Sequence, residues 1–468
     1  PAPVDEGPAG GWPAVSTDPP LRPAFAPGVS DYVVRCDPET PVAVSVDPPP
    51  GTRVGVDGRA SREGAFTEHV ALGFGEATTV AVDSRAATGT FHVRCLSPEI
   101  PSWTVERGAP TEAAFFITTP LAYPSGLPPV VIADRNGTPV WWKEDANAVD
   151  AKLVPGGPLT WTTWTGAHYS SGTYVDVALN GQPGATWRTG LDVGADHHDI
   201  QVLPGGDRLL LAYRERENVD LSAYGHPSDA TVLDGEVQRV GPDGTVRWAW
   251  NTRDHVALAE TGRWWPKAGI VKPNGETVYD IVHINAVEPD GDGFLVSLRH
   301  TDAVYRIDQA SGAVDWKLGG TATPQRLTVT GDAHAVEKTF GGQHDVRRLA
   351  DGTVTVADNR TDFSEPPRAV RFAIDETAGE AELLEEIADP GHAPSSLCCG
   401  GARRLPGGGW VAAWGGDDTW GEYGPDGAAR LRVTSPGFFT YRAEPVLPGV
   451  LDVAALRAGM DVMHPRGG

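Results

Sequence analysis

Short runs of alternating apolar and polar residues, separated by Pro-Gly and Asp-Gly turns, recur along the chain and predict an all-β protein. Between Tyr32 and Pro98 they read DYVVRC, VAVSV, RVGVDG, TTVAVD and TFHVRC. Strands at this spacing predict a small β-sandwich, assigned to residues 23–108. Residues 1–22 are Pro-rich with few large apolar side chains and read as a linker, because such a stretch cannot offset its ordering entropy. Cys36 and Cys95 end two similar strands, so a bridge between them is expected to tie the first strand of the sandwich to the last.

From about Ala109 a two-part repeat appears. A turn followed by an apolar strand occurs six times, as in NGTPVWW, PDGTVRWAW and ASGAVDW, with its glycines at 137, 181, 244, 312, 379 and 427. Five hairpins fall between these tags: VDAKLVPGGPLTWTTWT, HDIQVLPGGDRLLLAYR, HINAVEPDGDGFLVSLR, HDVRRLADGTVTVADNR and GGARRLPGGGWVAAWGG. Six tags interleaved with five hairpins predict a six-bladed β-propeller over residues 109–468. The segments 113–122 and 438–447 are left to close the ring.

Aligning the hairpins on their turns sorts the polar residues. Six positions before the first turn residue stand His198, His283 and His344, replaced by Val149 and Gly400 in the other two copies. Ten positions after it stand Arg214, Arg299 and Arg360, against Thr165 and Gly416. A hairpin returns to the level at which it began, so both sets are expected at one end of the blades. If the hairpin is the inner half of each blade, they converge on the central channel. Asn285 shares the face of His283, and His300 adjoins Arg299. A purely structural repeat residue would occupy all five copies, and His, Arg and Asn are costly to bury idle. His197 is expected on the opposite strand face. His69, His92, His168, His226, His255, His334, His392 and His464 have no repeat register and read as ordinary surface or core residues. Trp142, Trp187, Trp248 and Trp316 fall at tag positions where blades would pack. Trp161, Trp164, Trp264 and Trp265 are divided between packing and an aromatic pocket, and Trp265 is taken as the substrate-binding candidate. The insertion 253–282 is expected to form a lid over the mouth.

The chain has 38 Lys+Arg against 62 Asp+Glu, a formal charge of −24. No Lys/Arg-rich run exists to neutralise phosphates, which argues against nucleic-acid and anionic-membrane partners. Cations gathered at one mouth of so acidic a protein would instead focus a small organic anion. No stretch is long and apolar enough for a membrane-spanning helix. The first residues, rich in Pro, Gly and Ala after Pro1, read as a mature chain after export, and the cysteines suit a secreted or otherwise extracytoplasmic setting. Cys398 and Cys399 are adjacent, and either a vicinal disulfide or two thiols is compatible with the sequence. No metal-type Cys spacing is present, and neither a metal nor another cofactor is expected.

The strings HHDIQVLPGG, DIVHINAVEPDGDGFLVSLRHTDAVYRID followed by GAVDWKLGG, and GGQHDVRRLADGTVTVADN resemble the bacterial aryl sulfotransferases over roughly residues 109–445. The resemblance implies a six-bladed propeller that moves a sulfuryl group from an aryl sulfate to a phenol without a nucleotide sulfate carrier. It also implies that His344 becomes transiently sulfated, with His198, His283, Asn285 and Arg299 as the supporting set. Gln343, Asn359, Arg214, Arg360, His300 and Trp265 are read as substrate-binding. Two other readings suit the same residues. One is a propeller polysaccharide lyase acting on an anionic glycan, which a bound divalent metal would favour. The other is a secreted propeller that binds a glycan or a protein.

Overall fold

The computed structural model describes residues 11–121, 129–144, 148–163, 172–334, 338–389, 391 and 395–466. Among the described residues the chain is all-β apart from short 3-10 turns and one C-terminal helix. Its N-terminal strands form two sheets. One runs Ala14–Asp18, Val42–Asp47, Phe66–Val70, and the other Asp31–Val34, Thr88–Cys95, Ala77–Asp83, Arg53–Val56. Val42–Asp47 alternates buried and less buried positions, as a strand covering one core must. Val15, Tyr32, Val44, Val54, Val80 and Phe91 fill the space between the sheets. The Cys36–Cys95 disulfide closes this unit. Ala14–Asp18 lies in the stretch read as linker but is an ordered strand, because Val15 is buried and the backbone pairs with Val42–Asp47.

Among the described residues the rest of the chain forms six sheets, each built on four antiparallel strands that are consecutive in the chain in all but one sheet. The five aligned hairpins are the first two strands of five of these sheets. In the sixth, Phe439–Val446 pairs with Phe115–Leu121, so the C-terminal strand completes the sheet begun by residues 115–143. The first strands Ala148–Leu153, Ala195–Val202, Ile284–Asp290, His344–Arg348 and Gly401–Arg404 each contact the next. Phe439–Val446 contacts both Gly401–Arg404 and Ala148–Leu153. Thr104–Arg107, inside the range assigned to the sandwich, pairs instead with Ala429–Thr434 as the outermost strand of a body sheet.

The insertion at 253–282 is no loose flap. Its ribbon Gly269–Val271 and Thr277–Asp280 extends the third sheet by parallel pairing with Ala230–Val240. Val256, Trp265, Val278 and Ile281 are buried in that sheet's core, which fixes the segment. The helix Val453–Met463, capped by Asp452 accepting from the Ala454 N–H, buries Leu456 and Met460. It also carries Arg457 to Asp31 and Asp461 to Arg94, joining the body to the N-terminal unit.

Candidate functional site

The starts of three inner strands bring His198, His283 and His344 together. Each strand has a register shift near its histidine, between Ala195 and Ile200, Ile284 and Ala286, and His344 and Arg347. His283 (φ 48°) and Asp345 (φ 61°) adopt the left-handed backbone region there. For residues other than glycine this costs roughly 1–3 kcal/mol each and persists only where neighbours enforce it. At His283 the neighbour is Asp280, whose carboxylate accepts the His283 backbone N–H at 2.9 Å.

The ring centroids lie 4.9 Å apart for His198 and His283, and 6.3 Å from each of these to His344. The three histidines differ in what stands behind them. Asp196 lies 2.5 Å from His198 Nδ1 and Asp280 lies 2.5 Å from His283 Nδ1. His344 Nδ1 has instead a carbonyl as its acceptor, Gly342 O at 3.1 Å. Asn359 Nδ2 is also 3.2 Å from His344 Nδ1, but it donates to Gly342 O and Cys399 O at 2.9 and 3.0 Å. With both amide hydrogens spent, His344 Nδ1 carries the proton and its Nε2 lone pair is available. Burial, with Arg299 adding to it, pushes the His344 pKa well below the ordinary imidazole value, so this ring is neutral. His283 is also lowered by burial, with Asp280 working against the shift.

Arg299 comes from a 3-10 turn, Arg299–Thr301, that leaves its strand end and turns the guanidinium inward. Its Nη2 donates to Leu397 O at 2.7 Å and its Nη1 to His300 Nε2 at 2.9 Å. His300 donates Nδ1–H to Asp280 O at 2.6 Å, and its pKa is lowered by burial to about 3, so it serves Arg299 as an acceptor. The Trp264 ring stacks on His300 and lies 4.1 Å from the Arg299 guanidinium carbon. Burial lowers Arg299 to about 10, which leaves it charged near neutral pH. Arg299 Nε and Asn285 Oδ1 are buried polar atoms with no partner among the described residues, as expected where a ligand supplies the missing bond.

Beneath this cluster lies an ionic floor. Arg442 pairs with Asp150, Asp199 and Asp345, Arg347 with Asp199 and Asp345, and Lys152 with Asp150 and Asp199. Asp199 and Asp345 directly follow His198 and His344, and Asp150 follows Val149 at the equivalent position. Cations thus stand under the histidines, but each is matched to a carboxylate.

The structure separates several residues from this centre. Arg214 lies mid-strand in Arg208–Val219 and pairs with Glu236 across the ladder at 2.7 Å. Arg360, past the end of Val354–Asp358 with φ 51°, turns to Glu365 and the Lys338 carbonyl. The register rule placed both at the right height, but in-plane pairing and a left-handed turn take them away. Trp265 stacks on Tyr224 within the sheet core, and its neighbour Trp264 faces the histidines instead. Gln343 is a strut, its Nε2 donating to Leu298 O and Ala303 O, while its own carbonyl accepts from Asn285. Asn359 stands behind His344. His197, expected on the opposite face, stacks on His198 at 4.2 Å, because the irregular pairing after Ala195 breaks the alternation. Trp164, Thr165, His168 and His392 lie outside the described residues. Asp196 and Asp280 escaped the sequence reading, although a carboxylate two or three residues before a histidine is a usable signal. One ring nitrogen from each of His198, His283 and His344 lies within 4.8 Å of the other two, so the three imidazoles form a candidate set for a divalent cation. Cys398 and Cys399 are joined, and the Leu397 and Cys399 carbonyls beside them hold Arg299 and Asn359.

The family model described as "Arylsulfotransferase (ASST)" matches residues 174–435, a span containing all three histidines, Asn285 and Arg299. The chain belongs to the arylsulfotransferase family. No curated protein matches it significantly. Among solved structures it is similar to a streptogramin B lyase, 12% identical over 71% of this chain and 87% of that one, with a TM-score of 0.36. A putative 6-phosphogluconolactonase from Bacteroides uniformis is 12% identical over 84% and 98%, also at 0.36. A luciferin-regenerating enzyme is 11% identical over 74% and 100%, at 0.34. Likenesses this weak carry no argument about what an arylsulfotransferase-family chain does.

Proposed function

We propose that this arylsulfotransferase-family chain is a closed six-bladed propeller that transfers a sulfuryl group from an aryl sulfate to a phenol through a sulfated His344. The mutual contacts of the six inner strands support the closed ring. The observation that carries the chemistry is the asymmetry among the histidines: two are backed by carboxylates, while His344 is neutral, Nδ1-protonated and open at Nε2. In the first half-reaction Nε2 attacks sulfur, the S–O bond to the aryl group breaks, and the phenolate takes a proton from His283. The side chain of His283 is a quarter exposed, against 7% for His198, and so faces the mouth. In the second, the acceptor phenol gives its proton to His283, its oxygen attacks sulfur, and the N–S bond breaks. Arg299 donates to the sulfuryl oxygens, and Asn285 Oδ1 accepts from the approaching phenol, through the transfer. The Cys36–Cys95 disulfide supports an extracytoplasmic site of action.

The test is brief incubation with p-nitrophenyl sulfate, followed by intact and peptide mass spectrometry. A sulfuryl adduct on the His344 peptide, discharged by phenol and missing in a folded His344→Ala variant, is the expected result. Nitrophenol release that persists in His344→Ala refutes the assignment. The three-histidine spacing supports a second reading, a metal-assisted lyase, for which no adduct but a stoichiometric divalent metal would speak.

A further inference from the structure

We propose that the cleft between the N-terminal unit and the first body sheet is a second anion site, taking a single-ring aromatic acid such as an aryl sulfonate, sulfate or carboxylate. This inference is independent of the sulfuryl-transfer reading. The cleft is lined by Arg22, Arg35 and Arg107 and by no carboxylate, in a protein whose acids outnumber its bases by 62 to 38. Apart from Arg299 at the histidine centre, buried arginines such as Arg442, Arg347 and Arg368 are matched to acids. Here, among the described residues, none of the three has a salt bridge. Arg35 spends Nη1 and Nη2 on the Ser97 and Ile100 carbonyls, and its buried Nε has no partner. Arg107 makes one side-chain bond, from Nη1 to Asn136 Oδ1 at 3.2 Å. Burial and the charge of Arg22 both lower the Arg35 pKa, so like charges face one another with nothing to offset them.

Grouping cations in this way is unfavourable unless an anion completes the set, and planar guanidinium donors suit an oxyanion head. Most of the remaining wall is apolar, with Val33, Leu96, Pro101, Pro139 and Trp103, whose indole is fixed by Nε1 donating to Gly137 O at 3.0 Å, and Ser102, Asn136 and Thr138 add polar edges. The cavity of about 210 Å³ is smaller than the roughly 300–1,000 Å³ that holds drug-sized ligands, which limits the occupant to one ring and its charged group. Arg22 and Arg35 belong to the N-terminal unit, whereas the strand bearing Arg107 is bonded to Ala429–Thr434. A bound anion therefore bridges the two parts and stabilises their junction by mass action.

The probe is benzenesulfonate, which has no sulfate ester to transfer, titrated calorimetrically into the full chain carrying Arg299→Gln to silence the histidine centre. The proposal expects one equivalent bound, a rise in Tm, and at least tenfold weaker binding once Arg22→Gln and Arg107→Gln are added. These two arginines are exposed, and Arg107→Gln alone serves if the pair disturbs folding. Turnover of p-nitrophenyl sulfate by Arg22→Gln/Arg107→Gln in the otherwise native chain should be unchanged. Inorganic sulfate should bind at least tenfold more weakly than benzenesulfonate. Undiminished binding in the arginine variants, no saturable binding, or equal affinity for inorganic sulfate would each overturn the proposal.

Discussion

Replacing Asp280 by Asn tests whether the carboxylate–histidine pair handles the proton of the leaving group. The carboxylate sits 2.5 Å from His283 Nδ1 and is buried, so it stabilises the imidazolium form directly. A unit charge about 4 Å from the centre of the imidazolium is worth roughly 4 kcal/mol at an effective dielectric constant near 20. At about 1.4 kcal/mol per tenfold, that is an upper limit near a thousandfold. Asn retains a carbonyl that can accept the same hydrogen bond, so the expected loss is about 10²–10³ in kcat/KM. The loss must also depend on the donor. Phenyl sulfate expels a strongly basic phenolate and should suffer the whole effect, whereas p-nitrophenyl sulfate, whose phenolate leaves with little help, should lose less than about tenfold. Initial rates with both donors at pH 7, and a melting curve for each protein, make the assay. Equal losses for the two donors would show that Asp280 acts on something other than leaving-group protonation and would refute the argument.

Four further outcomes follow from the structure. His300 has a folded pKa of about 3 against an ordinary 6.5, so the unfolded chain binds the extra proton. Stability should therefore fall as pH drops from about 6.5 towards 3, by up to roughly 1.4 kcal/mol per unit, and a folded His300→Gln variant should show a flatter Tm–pH curve. Arg442→Leu strips three buried aspartates of a shared partner and should cost about 3–5 kcal/mol in denaturant unfolding. Arg214→Ala, losing a pair whose arginine is 38% exposed, should cost under about 1 kcal/mol and leave kcat/KM unchanged. Cys36→Ser/Cys95→Ser should lower the stability of the N-terminal unit by about 2–4 kcal/mol, read by limited proteolysis, without changing the rate at the histidines.

The gathering of the histidines was legible because strand starts are a property of the repeat: wherever the inner strands converge, the residues at one register converge with them. Arginines ten positions on were less legible, since at a strand end local turn geometry decides where a long side chain goes. Arg299 escapes into a 3-10 turn, Arg214 stays in the ladder, and Arg360 follows a left-handed kink. The same limit separates Trp264 from Trp265, adjacent residues of a 3-10 segment kinked at Gly262, where no strand alternation assigns a face. The ionic floor was hidden for another reason. Its aspartates follow the −6 register, but Arg442, their common partner, lies in a strand outside the hairpin alignment. The helix Val453–Met463 fell beyond the last repeat tag, where the alignment had nothing to say.

The late position of Arg442 bears on how the protein is made. Phe115–Leu121 is synthesised about 320 residues before its partner Phe439–Val446, a gap of roughly 15–60 s at ordinary elongation rates. Asp150 and Asp199 precede Arg442 by 292 and 243 residues, and until Arg442 emerges they have Lys152 and Arg347 as their cationic partners. A chain cut short before residue 442 carries every histidine of the centre but lacks the one guanidinium that Asp150, Asp199 and Asp345 share.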